Sequence, residues 1–527
     1  MITAIELENF KGIAARQRVD FAPLTLLFGA NSAGKSSILQ GLVYLHELLE
    51  RGDADVDRTE LGGEYLELGG FARLIHRHDA NRTMTIRTEF LTPGSLNRWE
   101  RDMKGSPFDD LDDHVESAWI ELAIQYRATT NFRGAVVSNV TIGVGDSAEA
   151  LVSIEVGPSL REGEPLYVRV NLGHQSIAEA GRGIIDDWEQ IAIPETMYEL
   201  IFEKERSEAG GSTPQPGRKE DAFGEAGAHL VFAVSRSRMS ALPAFNEPLR
   251  VLMANEDDPT LKQNIALEQV RTFLELTVLG TTSQLAASLA RSLYIGPLRT
   301  VPPRGFLFER AGRVTRWADG LAAWDLLLSD RTTLVERTNA WLTRLGAGCQ
   351  VVVQQLVDAR ASAEELSAGH VDSTVRRVVL DTGSGTLVLP SEVGAGIAQM
   401  VPIIVAALVD SGRGLALVEQ PEIHVHPALQ VGLGDLFLDA AARQGRQFLI
   451  ETHSEHLLLR LMRRMRETVE GTLPERAARA QPADVKVWFV EREGAGCLIR
   501  NMPLNERGDL VKAWPGGFFE EGLREVM

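Results

Sequence analysis

The chain has 527 residues, of which 44% are hydrophobic and 24% are charged, the ordinary composition of a globular protein. Its formal net charge of −19 excludes a surface coated for nonspecific DNA binding, so any nucleic-acid contact would need a local basic patch. Only Cys349 and Cys497 occur, which excludes a disulfide framework. The first residues are strand-like rather than a signal peptide, and there is no apolar run of about 18 residues, so we expect a cytoplasmic protein without a membrane span.

Residues 1 to about 30 alternate in hydrophobicity as a β-hairpin does and lead into an apolar strand. The strand enters a loop that reads G-x-x-x-x-G-K-S (the P-loop, residues 29–36), and a helix with one apolar face follows. In this pattern backbone amides point at phosphate oxygens, Lys35 reaches the β- and γ-phosphates, and Ser36 ligates Mg²⁺. A purely structural turn is the alternative. The predicted nucleotide-binding residues are Gly29, Ala30, Asn31, Ser32, Ala33, Gly34, Lys35, Ser36 and Ser37.

The next segments predict two lobes. Strand-like runs at 83–90, 119–126, 136–142, 152–156 and 166–170 indicate a β-rich lobe up to about residue 175. The pattern then turns helical to about residue 290, for instance at 261–279. We interpret the acidic run 109–113 as a solvated loop, since the EF-hand pattern is absent, and the Gly-rich run 210–217 as a flexible loop.

Two apolar strands in the C-terminal part end in candidate catalytic residues. The strand at 415–418 ends in Glu419 and Gln420, and we expect it beside the P-loop strand, where the Glu419 carboxylate would hold the water shell of Mg²⁺. The strand at 448–450 closes on Thr452-His453-Ser454. Ahead of both, residues 391–399 form a small-residue turn that opens an apolar helix.

This order of P-loop, small-residue turn, E-Q-P-E-x-H-x-H-P and T-H-S-E-H resembles ABC-type AAA ATPases of the RecF/SMC/OLD-like branch. The tail W-P-G-G-F-F, residues 514–519, is similar to that of bacterial ATPases in antiphage defence systems. The resemblance implies an α/β fold: a P-loop ABC-type ATPase domain, with a mixed sheet and an antiparallel β lobe, carrying an inserted helical lobe. The expected divisions are 1–175 and 291–527 for the two parts of the ATPase domain and 176–290 for the insertion.

The resemblance also implies roles for single residues. His453 would be the switch histidine that reaches the γ-phosphate. The turn residues Ser391, Gly394 and Gly396 would be signature-like and would contact the nucleotide of another protomer, which implies a homodimer or higher homo-oligomer with shared ATP sites. The alternative for this turn is a plain helix N-terminus capped by Ser391. Segment 66–78 occupies the position of a coupling loop, although it lacks the expected glutamine.

Several assignments stay open at this point. Gln420 replaces the usual catalytic glutamate and cannot accept a proton, so hydrolysis should be slow unless Glu422 turns inward. Arg299 follows a strand at 292–298 and is either a cation facing phosphate or an interface, or part of a surface salt bridge. One helix carries Arg460, Arg463 and Arg464, which are either a DNA contact or a solvated face.

The leading hypothesis is an ATP- and Mg²⁺-dependent ATPase acting as a sensor or assembly platform in antiphage defence, together with a separate effector protein. A RecF-like role in DNA repair and a nucleotide-locked scaffold with negligible turnover are the alternatives. OLD-like nucleases carry a Toprim domain with an Asp-x-Asp pair. Only Asp484 and Asp509 occur after His453, so we expect no nuclease in this segment.

Overall fold

The computed structural model describes residues 1–92, 96, 108, 115–129, 132–178, 187–194, 196–199, 201–202, 229–244, 247–253, 260–304, 314–329, 333–355, 376–410, 414–494 and 496–519. The segments 109–113 and 210–217, both interpreted above as loops, lie outside these residues. Within the described part, two large sheets organise the chain, one of nine strands and one of six. Smaller sheets of three and two strands accompany them.

The nine-stranded sheet is antiparallel throughout and confirms the strands expected before residue 175. Its order is β12-β11-β10-β9-β8-β7-β6-β1-β2, with bounds β1 Ile2–Glu8, β2 Gln17–Asp20, β6 Met84–Leu91, β7 Ser117–Ala128, β8 Arg133–Val144, β9 Val152–Val156, β10 Leu166–Asn171, β11 His229–Val234 and β12 Val251–Leu252. The last two strands fall inside 176–290, a segment expected to be helical. Short apolar runs such as 229–234 carry no period that separates strand from helix, and pairing with β10 decides the outcome.

The six-stranded sheet has the order β13-β17-β18-β3-β19-β20, with bounds β3 Leu24–Gly29, β13 Leu293–Ile295, β17 Leu415–Glu419, β18 Gln447–Glu451, β19 Val485–Glu493 and β20 Gly496–Asn501. Five strands are parallel, and only β20 runs antiparallel, against β19. The P-loop strand β3 lies between β18 and β19. The expectation that the Glu419 strand neighbours β3 is therefore wrong, because β18 lies between them.

Helices cover both faces of the parallel sheet. Their bounds are Lys35–Arg51, Gly70–Leu74, Gln175–Ala178, Leu261–Leu274, Thr281–Ala290, Leu321–Ser329, Thr333–Leu345, Ala395–Leu408, Pro427–Gln444 and Glu455–Glu470, with a π-helical turn at Glu275–Gly280. The remaining strands are β4 Arg58–Thr59 and β5 Gly63–Glu67, then β14 Gln350–Gln355, β15 Arg376–Asp381 and β16 Leu387–Val388. Among the described residues, no helix is long and apolar enough to span a membrane.

Two hydrophobic cores lie on opposite faces of the parallel sheet. Along β17, Leu415 and Leu417 belong to the core shared with the antiparallel sheet, whereas Ala416 and Val418 belong to the core under the C-terminal helices. Such double burial is typical of parallel strands. Helix Lys35–Arg51 is buried on almost every side rather than on one apolar face, because it lies within the first core. These features confirm the expected α/β ATPase fold, while the domain boundaries at 175 and 290 stay a prediction.

Candidate nucleotide-binding site

The loop between β3 and helix Lys35–Arg51 curls tightly because three of its residues have positive φ angles. These are Gly29 at 142°, Ser32 at 60° and Gly34 at 111°, a region that glycine enters without strain. Gly29 is also required by its neighbour, since a Cβ there would overlap the backbone carbonyl of Val490 in β19. The tip at 30–32 is exposed, which leaves the loop open to an incoming anion.

The carboxylate of Glu451 meets both polar side chains of the P-loop. Ser36 Oγ donates a 2.6 Å hydrogen bond to Glu451 Oε2, and Lys35 Nζ lies 3.7 Å from Glu451 Oε1. Lys35 Nζ also donates to the carbonyls of Gly29 and Ala30, each at 3.0 Å. Burial lowers the pKa of Lys35, against the raising influence of Glu451. The lysine is thus folded over its own loop and paired with a carboxylate.

A second carboxyl group lies beside this pair. Glu419 ends β17 in register with Glu451, which ends β18. Tyr294 of β13 donates a 2.8 Å hydrogen bond from its Oη to Glu419 Oε1. Burial, and next the neighbouring charge of Glu451, raise the pKa of Glu419 to about 7. The two acids and Lys35 therefore share one electrostatic environment at the strand tips.

Glu422 turns inward, toward the end of β18. Its Oε1 accepts a 2.7 Å hydrogen bond from the backbone N–H of His453, and its Oε2 accepts one of 2.8 Å from Thr452 Oγ1. Burial raises the pKa of Glu422. Gln420, next to Glu419, has a left-handed φ of 44°, a conformation that is strained for a non-glycine residue. Gln420 and Glu422 thus stay the two candidates for orienting or activating a water molecule.

His453 carries an unsatisfied nitrogen at this site. Its Nε2 is buried and has no hydrogen-bond partner within the described part of the chain. Burial, and next the charge of Lys35, lower the pKa of His453, which favours the neutral ring. A neutral imidazole with a free nitrogen near the P-loop lysine is suited to donate to a phosphate oxygen.

Arg299 connects the candidate signature helix to the end of β17. It is only 3% exposed, so the surface salt bridge is wrong, whereas the role as a cation facing phosphate or an interface stays a prediction. Its Nη1 donates to the carbonyls of Glu419 and Gln420, each at 3.3 Å, and its Nε donates to Gln399 Oε1 at 3.1 Å. Burial lowers the pKa of Arg299 to about 10. Carbonyls freed where the strand ends need such donors.

The small-residue turn has two different parts. Ser391 lies in a 3-10 turn, Pro390–Glu392, and helix Ala395–Leu408 begins only after Gly394. Ser391 is therefore not the cap of that helix, which has no side-chain cap at all. Ser391 and Gly394 are exposed, whereas Gly396 packs so closely on the His424 carbonyl that a Cβ would overlap it. The turn is thus tied to the loop after β17 while its tip stays accessible.

Three arginines of helix Glu455–Glu470, those proposed as a DNA contact, are paired with acids of the same chain. Arg464 is 5% exposed and contacts both Asp435 and Glu467. Arg460 lies 3.4 Å from Asp435, and Arg463 lies 2.7 Å from Glu467. A cavity of about 300 Å³ next to them includes no P-loop residue in its lining. These pairs favour a structural helix face over a DNA contact.

The C-terminal aromatic tail packs beneath the P-loop strand. The rings of Trp514 and Phe519 lie 5.5 and 5.6 Å from that of Phe28, the residue before Gly29. Phe518 lies 5.2 Å from Phe489 of the neighbouring strand β19. The tail therefore packs on the core that lies under the C-terminal helices.

The donors at the site fit Mg²⁺ brought by a nucleotide rather than a metal held by protein alone. No group of three or more His, Cys, Asp or Glu side chains among the described residues is placed to hold a metal ion. One hydroxyl, from Ser36, and the nearby oxygens of Glu451 and Glu419 offer the hard ligands that Mg²⁺ prefers, with phosphates completing the set. The unsatisfied His453 nitrogen and the exposed loop fit a phosphate group in the same way.

Sequence reasoning missed three residues of this site. Glu451 ends its strand as Glu419 ends its own, and this equivalence was a signal available in the sequence. Tyr294 and Gln399 gave no comparable signal, because a tyrosine inside a strand and a glutamine inside an apolar helix become meaningful only through their partners.

Two family models match the chain. Residues 127–460, more than half of the chain, match the family described as "AAA domain, putative AbiEii toxin, Type IV TA system". Residues 1–129 match the family described as "AAA ATPase domain". No curated protein matches.

Among solved structures, the chain is similar to SMC head domains. That of Thermotoga maritima has 9% identity and a TM-score of 0.36, with 95% of this chain and 99% of that chain covered. The head domain of Pyrococcus yayanosii, with a coiled coil and joint, has 10% identity and a TM-score of 0.37, covering 96% and 98%. The Pyrococcus furiosus head domain, bound to the C-terminal domain of ScpA, has 10% identity and a TM-score of 0.36, covering 100% and 98%.

Proposed function

The chain belongs to the AbiEii-type family of AAA domains, and from this premise we propose that it is an ATP-gated switch controlling a separate effector protein in antiphage defence. The observation that carries the proposal is the contact of the P-loop with acids at the strand tips: Lys35 and Ser36 both meet Glu451, and Glu419 lies beside it. The defence setting is supported by the tail and motifs that resemble ATPases of such systems, and by the toxin in the family description.

In this proposal the P-loop amides and Lys35 bind the phosphates of ATP, and Ser36 with Glu419 holds Mg²⁺. The metal supplies charge neutralisation at the β- and γ-phosphates. The free Nε2 of His453 donates to the γ-phosphate, since no protein group within the described residues occupies it. Tyr294 holds the Glu419 carboxyl in place through its 2.8 Å hydrogen bond.

The attacking water has two candidate partners. Gln420 can orient water but accepts no proton, whereas the inward Glu422 has a raised pKa and could accept one. We assign the base to Glu422 and expect slow turnover, because both of its oxygens already accept hydrogen bonds. The second candidate function, an ATP-locked scaffold, is favoured by the strained Gln420 at the position of the usual acid.

The second half of each ATP site comes from another copy of the chain in this proposal. The exposed Ser391 and Gly394 offer a hydroxyl and backbone groups to a γ-phosphate across a dimer interface. Gly396 anchors that turn on the His424 carbonyl. Binding of ATP would then bring two chains together, and the effector would respond to the paired state.

Light scattering with size-exclusion chromatography tests this function. With ATP and Mg²⁺, the Glu422→Gln variant should shift from monomer to dimer or larger, because it retains ATP. Ser391→Arg in the same background should bind ATP but stay monomeric. The oligomeric state of the wild type should relax to that of the ATP-free protein as ATP is consumed. An ATP-saturated protein whose mass never changes would refute the switch, and absence of ATP binding would refute the ATPase.

A further inference from the structure

Glu451 is an acid in direct contact with the P-loop. It ends β18, the strand that pairs directly with β3, and it is 5% exposed. Each of its two oxygens faces one P-loop side chain, Ser36 at 2.6 Å and Lys35 at 3.7 Å. By contrast, Glu419 lies one strand further away and is engaged by Tyr294.

A buried carboxylate needs a positive partner, because burying an unpaired ion costs roughly several kcal/mol of folding free energy. In the structure that partner is Lys35, whose side chain is 3% exposed. Lys35 is folded back on the carbonyls of Gly29 and Ala30. In this conformation its Nζ pairs with Glu451, so it must move to contact the phosphates of a nucleotide. Nucleotide binding that draws Lys35 away would leave Glu451 unpaired.

We propose that Glu451 is a metal-facing carboxylate that exchanges its partner: Lys35 in the ligand-free state, and the Mg²⁺ that accompanies the nucleotide in the bound state. The Ser36 hydroxyl, which donates to Glu451 in the structure, would also offer a lone pair to the ion. Glu451 and Ser36 would thus hold the metal together, with Glu419 beside them on the next strand. This inference rests on the proposed function and adds a residue to its site.

The test is the Mg²⁺ dependence of nucleotide binding, measured with a fluorescent, non-hydrolysable ATP analogue in EDTA and at increasing free Mg²⁺. Glu451→Gln keeps the acceptor for Ser36 but removes the charge. It should raise the Mg²⁺ concentration at half-effect at least tenfold, while affinity in EDTA stays equal or improves because Lys35 is released. Glu451→Asp keeps the charge on a shorter side chain. Its Mg²⁺ concentration at half-effect should lie between those of the wild type and Glu451→Gln.

Wild-type Mg²⁺ dependence in both Glu451 variants would overturn the proposal and leave Glu451 as a counter-ion of Lys35 alone. If Glu451→Gln does not fold, as judged by circular dichroism, the half-effect concentration of Glu451→Asp decides. Mn²⁺ binding followed by electron paramagnetic resonance, with the same analogue, gives a readout independent of fluorescence. Failure of the wild type to bind the analogue at all would instead contradict the proposed function.

Discussion

Lys35 is the residue on which nucleotide binding depends most directly. Its Nζ is held at 3.0 Å by the carbonyls of Gly29 and Ala30, groups that do not compete strongly with a phosphate charge. Lys35→Ala should lower ATP affinity by roughly 100-fold, since a hydrogen bond to a charged group contributes about 1.5–3 kcal/mol. Isothermal titration calorimetry measures this, with circular dichroism as the check on folding.

The matched control for Lys35 is Lys486→Ala. Lys486 is a lysine of β19 that is partly exposed and lies 3.8 Å from Asp20, on a strand adjacent to β3. Its removal should leave ATP affinity unchanged. Normal affinity in a folded Lys35→Ala protein would contradict the assignment of the P-loop.

Substitutions at Gln420 and Glu422 should change the rate of ATP hydrolysis in opposite directions. Gln420→Glu places an acid at the position where ABC-type ATPases usually have one, and it should raise steady-state ATP hydrolysis about tenfold or more, since a general base contributes roughly 10²–10⁴ in rate. The lifetime of the ATP-bound assembly should shorten accordingly. Phosphate release at saturating ATP measures the rate.

Glu422→Gln is the companion variant, because it removes the charge and keeps the shape of the side chain and one of its two acceptor positions. It should abolish the residual hydrolysis of the wild type without weakening ATP binding. A fall in rate in Gln420→Glu, with Glu422→Gln unaffected, would show instead that Gln420 itself is the water-orienting group.

Among the elements, the two helices Pro427–Gln444 and Glu455–Glu470 are joined by an ion network around the buried Arg464. Arg464 donates to Asp435 Oδ1 at 2.7 Å and Oδ2 at 2.9 Å, and it also contacts Glu467. Asp435→Asn should lower the free energy of unfolding by about 3 kcal/mol, the low end for breaking a buried pair, because Glu467 remains. Chemical denaturation measures the loss.

Arg463→Ala is the control for that helix pair, since Arg463 is 62% exposed at its side chain and pairs only with Glu467 among the described residues. Its effect on stability should stay within about 1 kcal/mol. If Asp435→Asn left stability unchanged and raised the affinity for DNA, the interpretation of these arginines as structural would be wrong.

The sequence predicted single elements better than it predicted their order in the sheet. The hairpin, the strands of the β lobe and the P-loop helix were predictable because each depends on a local pattern. The insertion of β18 between β17 and β3 was not, since strand order depends on pairing between distant segments. The same holds for Arg299, whose place between Gln399 and the Glu419 carbonyl joins three segments far apart in the chain. Its sequence neighbours gave no sign of this.

At the scale of the whole molecule, the sheet that carries the candidate site lies between two hydrophobic cores. The P-loop helix lies within the core toward the antiparallel sheet, and the aromatic tail closes the opposite core below Phe28. The motifs predicted Glu419 at the tip of its strand, whereas the place of Glu451 beside it and the pairing of Glu451 with Ser36 required the fold. The segment after His453 contributes a helix, β19, β20 and the tail to this same ATPase architecture.

That arrangement bears on whether the chain itself cuts nucleic acid. The two aspartates after His453 are both engaged: Asp484 Oδ2 accepts from the Gln481 N–H at 2.8 Å, and Asp509 contacts Arg466 at 3.1 Å. The described residues hold no group of three or more acidic, His or Cys side chains placed for a metal. A metal-dependent nuclease needs such a cluster to bind its ions.

We therefore expect the purified chain to bind and hydrolyse ATP but to leave DNA and RNA intact with Mg²⁺ or Mn²⁺. Gel assays on single- and double-stranded substrates, with and without ATP, measure this, and Lys35→Ala serves as the control for ATP-dependent contaminants. Any cleaving or toxic activity should appear only when a separate effector is added, and should follow the ATP state of the complex. Cleavage by this chain alone, lost on mutating a carboxylate outside the ATP site, would show that the effector lies within the chain.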